Sequence, residues 1–278
     1  MTGDLHCHTS CSDGSTSPRD LVLLAKEAGL SAVAVTDHDT MEGVRQAQEY
    51  GALYGVRVIG GVEFSCFDAK RGRKAHLLCY LPRRPELLSP IFTHVAEIRR
   101  DAAFQMAQMI AARYPVTLSQ ILGYASGSTN LYKQHMMRAL MEAGCAGSMF
   151  GGVFDSLFNS KTGSCYLSPD YPDIWQVLDA VKRSGGIAVL AHPTVYRSMD
   201  LLRELCASGQ LDGVEVWHPR NREEDREAAL RLAEEYGLIM TGGTDFHGMY
   251  TNRPHPVGTC VTPDVQMKAL LKKAKESD

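Results

Sequence analysis

No two of the eight cysteines form a C-x-x-C pair; they are scattered at Cys7, Cys11, Cys66, Cys79, Cys145, Cys165, Cys206 and Cys260. That spacing excludes a zinc-thiolate ribbon and a thioredoxin-like redox motif. No basic segment followed by an apolar stretch opens the chain, so the thiols read as reduced core residues of a cytoplasmic protein rather than a disulfide framework. No apolar run approaches the length that spans a bilayer, and no membrane partner is expected. A strong positive charge is missing too. The formal net charge of −3 argues against a broad surface for duplex DNA. What remains, 44% apolar and 22% charged residues over 278 positions, suits one α/β barrel or a core with an inserted subdomain.

The first third alternates strand and helix. DLHCH precedes SPRDLVLLAKEAGL, where Ser17 reads as a helix cap, Pro18 as the first helical residue and Gly29 as the end. The apolar run SAVAVTDHD follows, then a helix from about Met41 to Leu53, the strand VRVIGGVEFSC and a shorter strand AHLLCY. The last third repeats the rhythm through IAVLAHP, DGVEVWHP and LIMTGGTDFHG, with a final helix starting at Thr262 and containing Pro263. Near-continuous apolar strands between amphipathic helices predict a parallel, helix-covered sheet. From about Pro85 to Pro169 only helical patterns occur (residues 93–114, 134–144 and 151–160). The chain therefore divides into a core of residues 1–84 and 170–278 and a helical insertion of residues 85–169. Between residues 98 and 168, Arg99, Arg100, Arg113, Lys133, Arg138 and Lys161 face only Asp101, Glu142 and Asp155. A solvated helix face and an anion site both account for that surplus.

The stretch DLHCHTSCSDGS is dense in metal-ligand types. In a strand, His6 and His8 share one face while Leu5 and Cys7 share the other, and the turn SCSDGS lets Asp13 swing back over the histidines. A strand with two incidental histidines gives the same stretch. The other strand ends decide between them: Asp37, His38 and Asp39 follow the second, Glu63 the third, His76 the fourth, then His192, His218, and Asp245 with His247. In parallel α/β folds chemistry gathers at the carboxyl ends of strands, where the loops converge. Imidazoles and carboxylates without thiolates suit Zn²⁺, Mn²⁺ or Fe²⁺, and the ligands are too many for one ion. Two or three ions sharing carboxylates fit the count.

The ordered set H-x-H-x4-D, T-D-H, G-x-E, the histidine of A-H-L-L, A-H-P and D-F-H resembles the PHP (polymerase and histidinol phosphatase) family over nearly the whole chain. The insertion and the following GGIAVLAHP are similar to those of PHP phosphoesterases that hydrolyse nucleoside 3′,5′-bisphosphates and trim short 5′-phosphorylated RNA. The resemblance implies a distorted seven-stranded β/α barrel with a trinuclear metal centre. It implies that His6, His8, Glu63 and Asp245 surround one ion. Glu63, His76 and His192 would hold a second, and Asp13, His38 and His247 a third. Asp37 is left as a partner behind the ligands, a proton handler or a strand-end cap. Such ions supply hydroxide for in-line attack on phosphorus and stabilise the departing alkoxide. Glu63, His192 and Asp37 are thus the candidate catalytic residues, acting on a nucleotide or a short oligonucleotide.

One place departs from the family. Its members usually carry G-R-P-H before an insertion helix, where the arginine and histidine face the substrate phosphate; here the stretch is Tyr132-Lys133-Gln134-His135. Lysine keeps the cation but not the bidentate fork, and the proline is gone. Lys133, His135 and Lys161 are the expected phosphate contacts, although the two lysines also read as surface residues. His94 and His255 read as structural or exposed, His218 as core or rim, and Met106, Met109, Met136 and Met137 as helical core. Two alternatives compete. A histidinol-phosphate phosphatase would use the same metal set, with the insertion pattern against it. A non-catalytic metal-stabilised module usually loses ligands, whereas all nine positions are filled here.

Overall fold

The computed structural model describes residues 1–276. Ser17 caps the first helix by accepting from the Asp20 amide, and Gly29 leaves it in a left-handed conformation. The elements run β1 (Gly3–Asp4), α1 (Pro18–Glu27), β2 (Ala32–Val35), α2 (Glu42–Tyr54), β3 (Arg57–Asp68) and β4 (Arg73–Tyr80). Four helices follow: α3 (Ser89–Ala111), α4 (Leu118–Tyr124), α5 (Lys133–Glu142) and α6 (Gly152–Phe158). The chain then resumes alternation with α7 (Ile174–Ser184), β5 (Ile187–Leu190), α8 (Met199–Ala207), β6 (Gly213–Trp217), α9 (Glu223–Tyr236), β7 (Ile239–Gly242) and α10 (Asp264–Glu276).

The seven strands pair in chain order, and the ring nearly closes. Closure comes from the first segment meeting the chain beyond β7: Leu5 N donates to Gly242 O at 3.1 Å, and His8 N to Phe246 O at 2.8 Å. The expectation of a wholly parallel sheet fails at β4. It folds back on β3 as a hairpin and pairs antiparallel with both β3 and β5. The tight turn at residues 69–72 allows no crossover helix, so the strand must reverse. Its beginning, not its end, therefore reaches the edge where the other strands finish, and His76 pairs there with Ser65.

Two expected strands are shorter than their patterns. Regular pairing of β1 stops at Asp4, and His6 to His8 continue as extended chain with a single bridge from Cys7 to Phe246. Beyond Gly242, Asp245 takes φ +54°, which no strand residue can hold. The last helix begins at Asp264, so Pro263 precedes it rather than lying inside. Helix α4 escaped the sequence patterns, being only seven residues long. Its Thr117–Gln120 capping box is nevertheless written in the sequence.

Packing explains the layers. One cluster buries Leu77, Leu190 and Val214 of the sheet against α7 and α8; a second joins Leu5, Leu78 and Tyr80 with Met267 and Leu270 of α10. The helices between β4 and α7 build their own cluster around Met106, Ile110, Met136, Met137 and Leu140, without a strand residue. Cys7 packs with Leu21 and Val22, away from its histidine neighbours, and all eight cysteines are free thiols. No described helix is long and apolar enough to cross a membrane.

Candidate metal centre and substrate cavity

Asp37 shapes the turn that carries the first ligands. One of its carboxylate oxygens accepts from Thr9 N at 2.7 Å and Ser12 Oγ at 2.6 Å, the other from Thr9 Oγ1 at 2.7 Å. It is fully buried and lines neither cavity described below. It holds the turn from behind through these three hydrogen bonds. That turn brings Asp13 Oδ1 to 3.8 Å from His8 Nδ1 and 3.3 Å from His247 Nε2.

Glu63 is the hub. Its Oε2 lies 3.1 Å from His6 Nε2, 3.1 Å from His8 Nε2 and 3.2 Å from His38 Nδ1. Its Oε1 lies 2.7 Å from His76 Nδ1 and 2.8 Å from His192 Nε2. Asp245 Oδ1 completes the inner face at 3.6 Å from His6 Nε2 and 3.3 Å from His8 Nε2. Two of these residues sit in left-handed backbone, His192 at φ +24° and Asp245 at φ +54°, a strain kept where the fold over-determines it. Gly243 has no Cβ because one would collide with the His6 side chain as the chain leaves β7.

The nine expected ligand residues thus converge, in three overlapping sets. His6, His8, Glu63 and Asp245 form one, and His8 joins Asp13, His38 and His247 in another. The third contains His38, Glu63 and His76, with His192 approaching through Glu63 Oε1. A divalent ion fits this arrangement. His6 Nε2, His8 Nδ1 and Nε2, His38 Nδ1 and Glu63 Oε2 are buried without a hydrogen-bond partner, a costly state that an ion would relieve. Electrostatics agree. Burial opposes charge on Glu63, but His76, His6 and His38 outweigh it and hold the carboxyl well below its usual range. Burial likewise opposes the His8 cation, yet Asp245 and Glu63 raise its pKa to about 10.

Several residues of the site carry no motif. Glu215, fully buried in the middle of β6, accepts from His192 N at 2.9 Å, and its Oε1 lies 2.9 Å from His6 Nδ1. An acidic residue inside the apolar run GVEVW was its signal in the sequence. His218 Nδ1 accepts from Arg220 N, so its Nε2 carries the proton and points at Asp245 Oδ2, 3.3 Å away. Arg220 also donates to that oxygen at 2.7 Å.

A two-lobed cavity opens over the cluster. The larger lobe, about 540 Å³, is lined by Phe150, Tyr196, His218, Arg220, Tyr250 and Arg253. The smaller, about 200 Å³, gathers Lys74, Arg99 and Lys133 among Tyr132, Tyr166 and Tyr171. His38, His76, Gln134 and Tyr196 border both. Arg99 stacks 5.0 Å from the centroids of Tyr132 and Tyr171 while donating to Asp39 Oδ2 at 3.0 Å. Lys133 lies 4.4 Å from the Tyr166 ring centroid; burial first, then Lys74 and Arg99, lower its pKa to about 7. The other two expected phosphate contacts lie elsewhere. His135 is buried with Nδ1 accepting from Tyr132 N, closing the first turn of α5, and Lys161 is exposed in a turn outside both lobes. His94 is exposed on α3, and His255 reaches the rim of the larger lobe.

Comparison with known proteins places this geometry. The PHP domain model matches residues 4–237. The chain is 36% identical over 257 residues to phosphoribosyl 1,2-cyclic phosphate 1,2-diphosphodiesterase of Eggerthella lenta, covering 92% of this chain and 97% of that one. It is 32% identical to the 5′-3′ exoribonuclease Rnm of Escherichia coli over 88% and 84% of the two chains. A 3′,5′-nucleoside bisphosphate phosphatase of Chromobacterium violaceum is 27% identical over 88% and 86%. A crystal structure from Bifidobacterium adolescentis assigned as a metal-dependent phosphoesterase superposes with a TM-score of 0.87 and 31% identity, covering 98% and 96%. The motifs in order, the converging ligands and these likenesses agree, and the chain belongs to the PHP family as a metal-dependent phosphoesterase.

Proposed function

We propose that this enzyme hydrolyses phosphate esters on ribose: nucleoside 3′,5′-bisphosphates or short 5′-phosphorylated oligonucleotides. The observation that carries the reading is the smaller lobe, where Lys74, Arg99 and Lys133 surround a space of about 200 Å³ beside the ligand cluster. Of their carboxylate neighbours, Asp39 is already paired with Arg99. A phosphate there would be held by charge, leaving a second phosphate to reach the ligands. The larger lobe has room for the nucleoside, with Phe150 and Tyr250 as flat apolar walls.

In this reading His6, His8, Glu63 and Asp245 hold one divalent ion, Glu63 with His76 and His192 a second, and Asp13, His38 and His247 a third. Mn²⁺, Zn²⁺ and Fe²⁺ suit the donors. Bound ions activate water and neutralise the phosphoryl oxygens. The chain's own residues do the rest: Lys133 and its neighbours orient the substrate, and the buried site excludes bulk water. Residues 85–169 act as a subdomain covering the site on a core of residues 1–84 and 170–278. A small substrate in the cytoplasm, with neither duplex nor membrane, accords with the net charge of −3.

A second reading is a cyclic phosphoribosyl substrate. It is favoured by the likeness to the Eggerthella lenta diphosphodiesterase and by Lys133-Gln134 standing where the family carries arginine and proline. A hydrolysis panel with Mn²⁺ supplied, read both by inorganic phosphate and by chromatography of released mononucleotides and ring-opened monoesters, decides between them. It includes nucleoside 3′,5′-bisphosphates, a 5′-phosphorylated trinucleotide, phosphoribosyl 1,2-cyclic phosphate and histidinol phosphate. Turnover of the nucleotides is expected; turnover of the cyclic compound alone selects the second reading, and of histidinol phosphate alone rejects both.

A further inference from the structure

The segment between α4 and the first turn of α5 grips the turn that carries Asp13. Ser128 Oγ donates to Ser12 O at 2.7 Å, Thr129 N to Cys11 O at 2.9 Å, and Tyr132 OH to His38 O at 3.3 Å. Gln134 Nε2 donates to Asp13 Oδ2 at 2.8 Å. Because a carboxylate only accepts, the amide nitrogen must be the atom facing it. The other oxygen, Asp13 Oδ1, lies 3.3 Å from His247 Nε2 and 3.8 Å from His8 Nδ1, while Oδ2 itself lies 4.0 Å from His38 Nε2. The helical segment thus pins the oxygen on the His38 side and so sets how the other is presented to His247 and His8. A side chain at this position that lacks a donor, as the proline of the family pattern does, would leave the carboxylate free to rotate.

We infer that Gln134 is a positioning residue for the ion held by Asp13, His38 and His247, so that the helical insertion forms one wall of that metal site. The inference rests on the ligand assignment proposed above. It gives Gln134 no contact with the reacting atoms: its amide fixes the rotation of the Asp13 carboxylate. Partners behind a ligand typically account for about 10- to 100-fold in metal affinity. The sites built on His6 and on His76 receive no contact from Gln134 and should not respond.

The experiment titrates metal-free protein with Mn²⁺ by calorimetry, counts ions retained after desalting, and measures melting temperature without metal. It compares the wild type with Gln134→Ala and Gln134→Met. Methionine keeps the length and packing of glutamine without its donor. Both variants should weaken one ion site about tenfold or more and spare the others, whatever the lost hydrogen bond costs the metal-free protein in melting temperature. If Gln134→Ala does not fold, the methionine variant decides. Wild-type affinity in Gln134→Met, or equal weakening of all sites, overturns the inference. Should that happen while the enzyme still hydrolyses nucleotides, the proposed function survives. Selective weakening in a protein that hydrolyses none of the panel keeps the positioning role and rejects the substrate.

Discussion

His6 Nδ1 stands 2.9 Å from Glu215 Oε1, and neither side chain is exposed to solvent. The second oxygen of the same carboxylate accepts from the His192 amide. One acidic residue from the middle of β6 thereby orients a ligand from the first segment and the backbone of another after β5. An imidazole that donates through Nδ1 leaves its Nε2 lone pair for an ion. Glu215→Ala should lower metal affinity about 10- to 100-fold, and Glu215→Gln less, read by Mn²⁺ titration. Equal affinity in the alanine variant would contradict the orienting role.

Glu63 touches five histidines, so its loss should be felt by every ion. Glu63→Ala or Asp245→Asn should reduce turnover by about a thousandfold or more, the scale of several kcal/mol of transition-state stabilisation. In a merely structural module the same changes would only lower the melting temperature. Steady-state kinetics beside differential scanning calorimetry separates the two.

The pKa of Lys133 has been lowered to about 7 chiefly by burial, from an ordinary value of 10.5. Its cation is present below about pH 7 and lost above it, so KM for an anionic substrate should rise as pH rises through that value. Lys133→Arg keeps its charge throughout and should flatten the profile. The unfolded chain holds this proton up to 10.5, so the group's contribution to stability rises with pH between about 7 and 10.5. Lys133→Met should therefore melt higher than wild type at neutral pH while binding substrate worse.

In the metal-free protein His8 keeps its proton up to about pH 10, despite burial, because Asp245 and Glu63 face it. A ligand imidazole must be neutral. Ion binding should thus release a proton, and apparent affinity should increase with pH below 10. Calorimetry in two buffers of different ionisation enthalpy would count that proton. A chelator should lower the melting temperature by uncovering the orphaned buried atoms.

Arg99 is the only cation paired with buried Asp39 among the described residues, and its guanidinium is sandwiched between Tyr132 and Tyr171. Arg99→Met should destabilise the protein by about 3–5 kcal/mol, the cost of leaving a buried charge without its partner. Urea unfolding with an unchanged slope would measure it.

Ligand types at strand ends were legible because each follows an apolar run that can only be a buried strand, and period-two alternation put His6 and His8 on one face. Limits of the first helix followed from local chemistry at Ser17 and Gly29. The reversal of β4 was missed because its strand pattern reads alike in both directions; the cue lay in the turn at residues 69–72, too short for a crossover helix. His135 and Lys161 were expected from the family resemblance; one closes a helix turn and the other faces solvent.

By itself, then, the sequence determined the fold class and the imidazole and carboxylate residue types gathered at the strand ends, because strand periodicity and turn chemistry act over a few residues. Tertiary structure alone decided that Glu215 stands behind His6, that Gln134 holds Asp13, and that Lys74, Arg99 and Lys133 share one lobe. Each of those relations joins segments distant in the chain. They depend on strand register and on how the inserted helices pack, which no local pattern encodes.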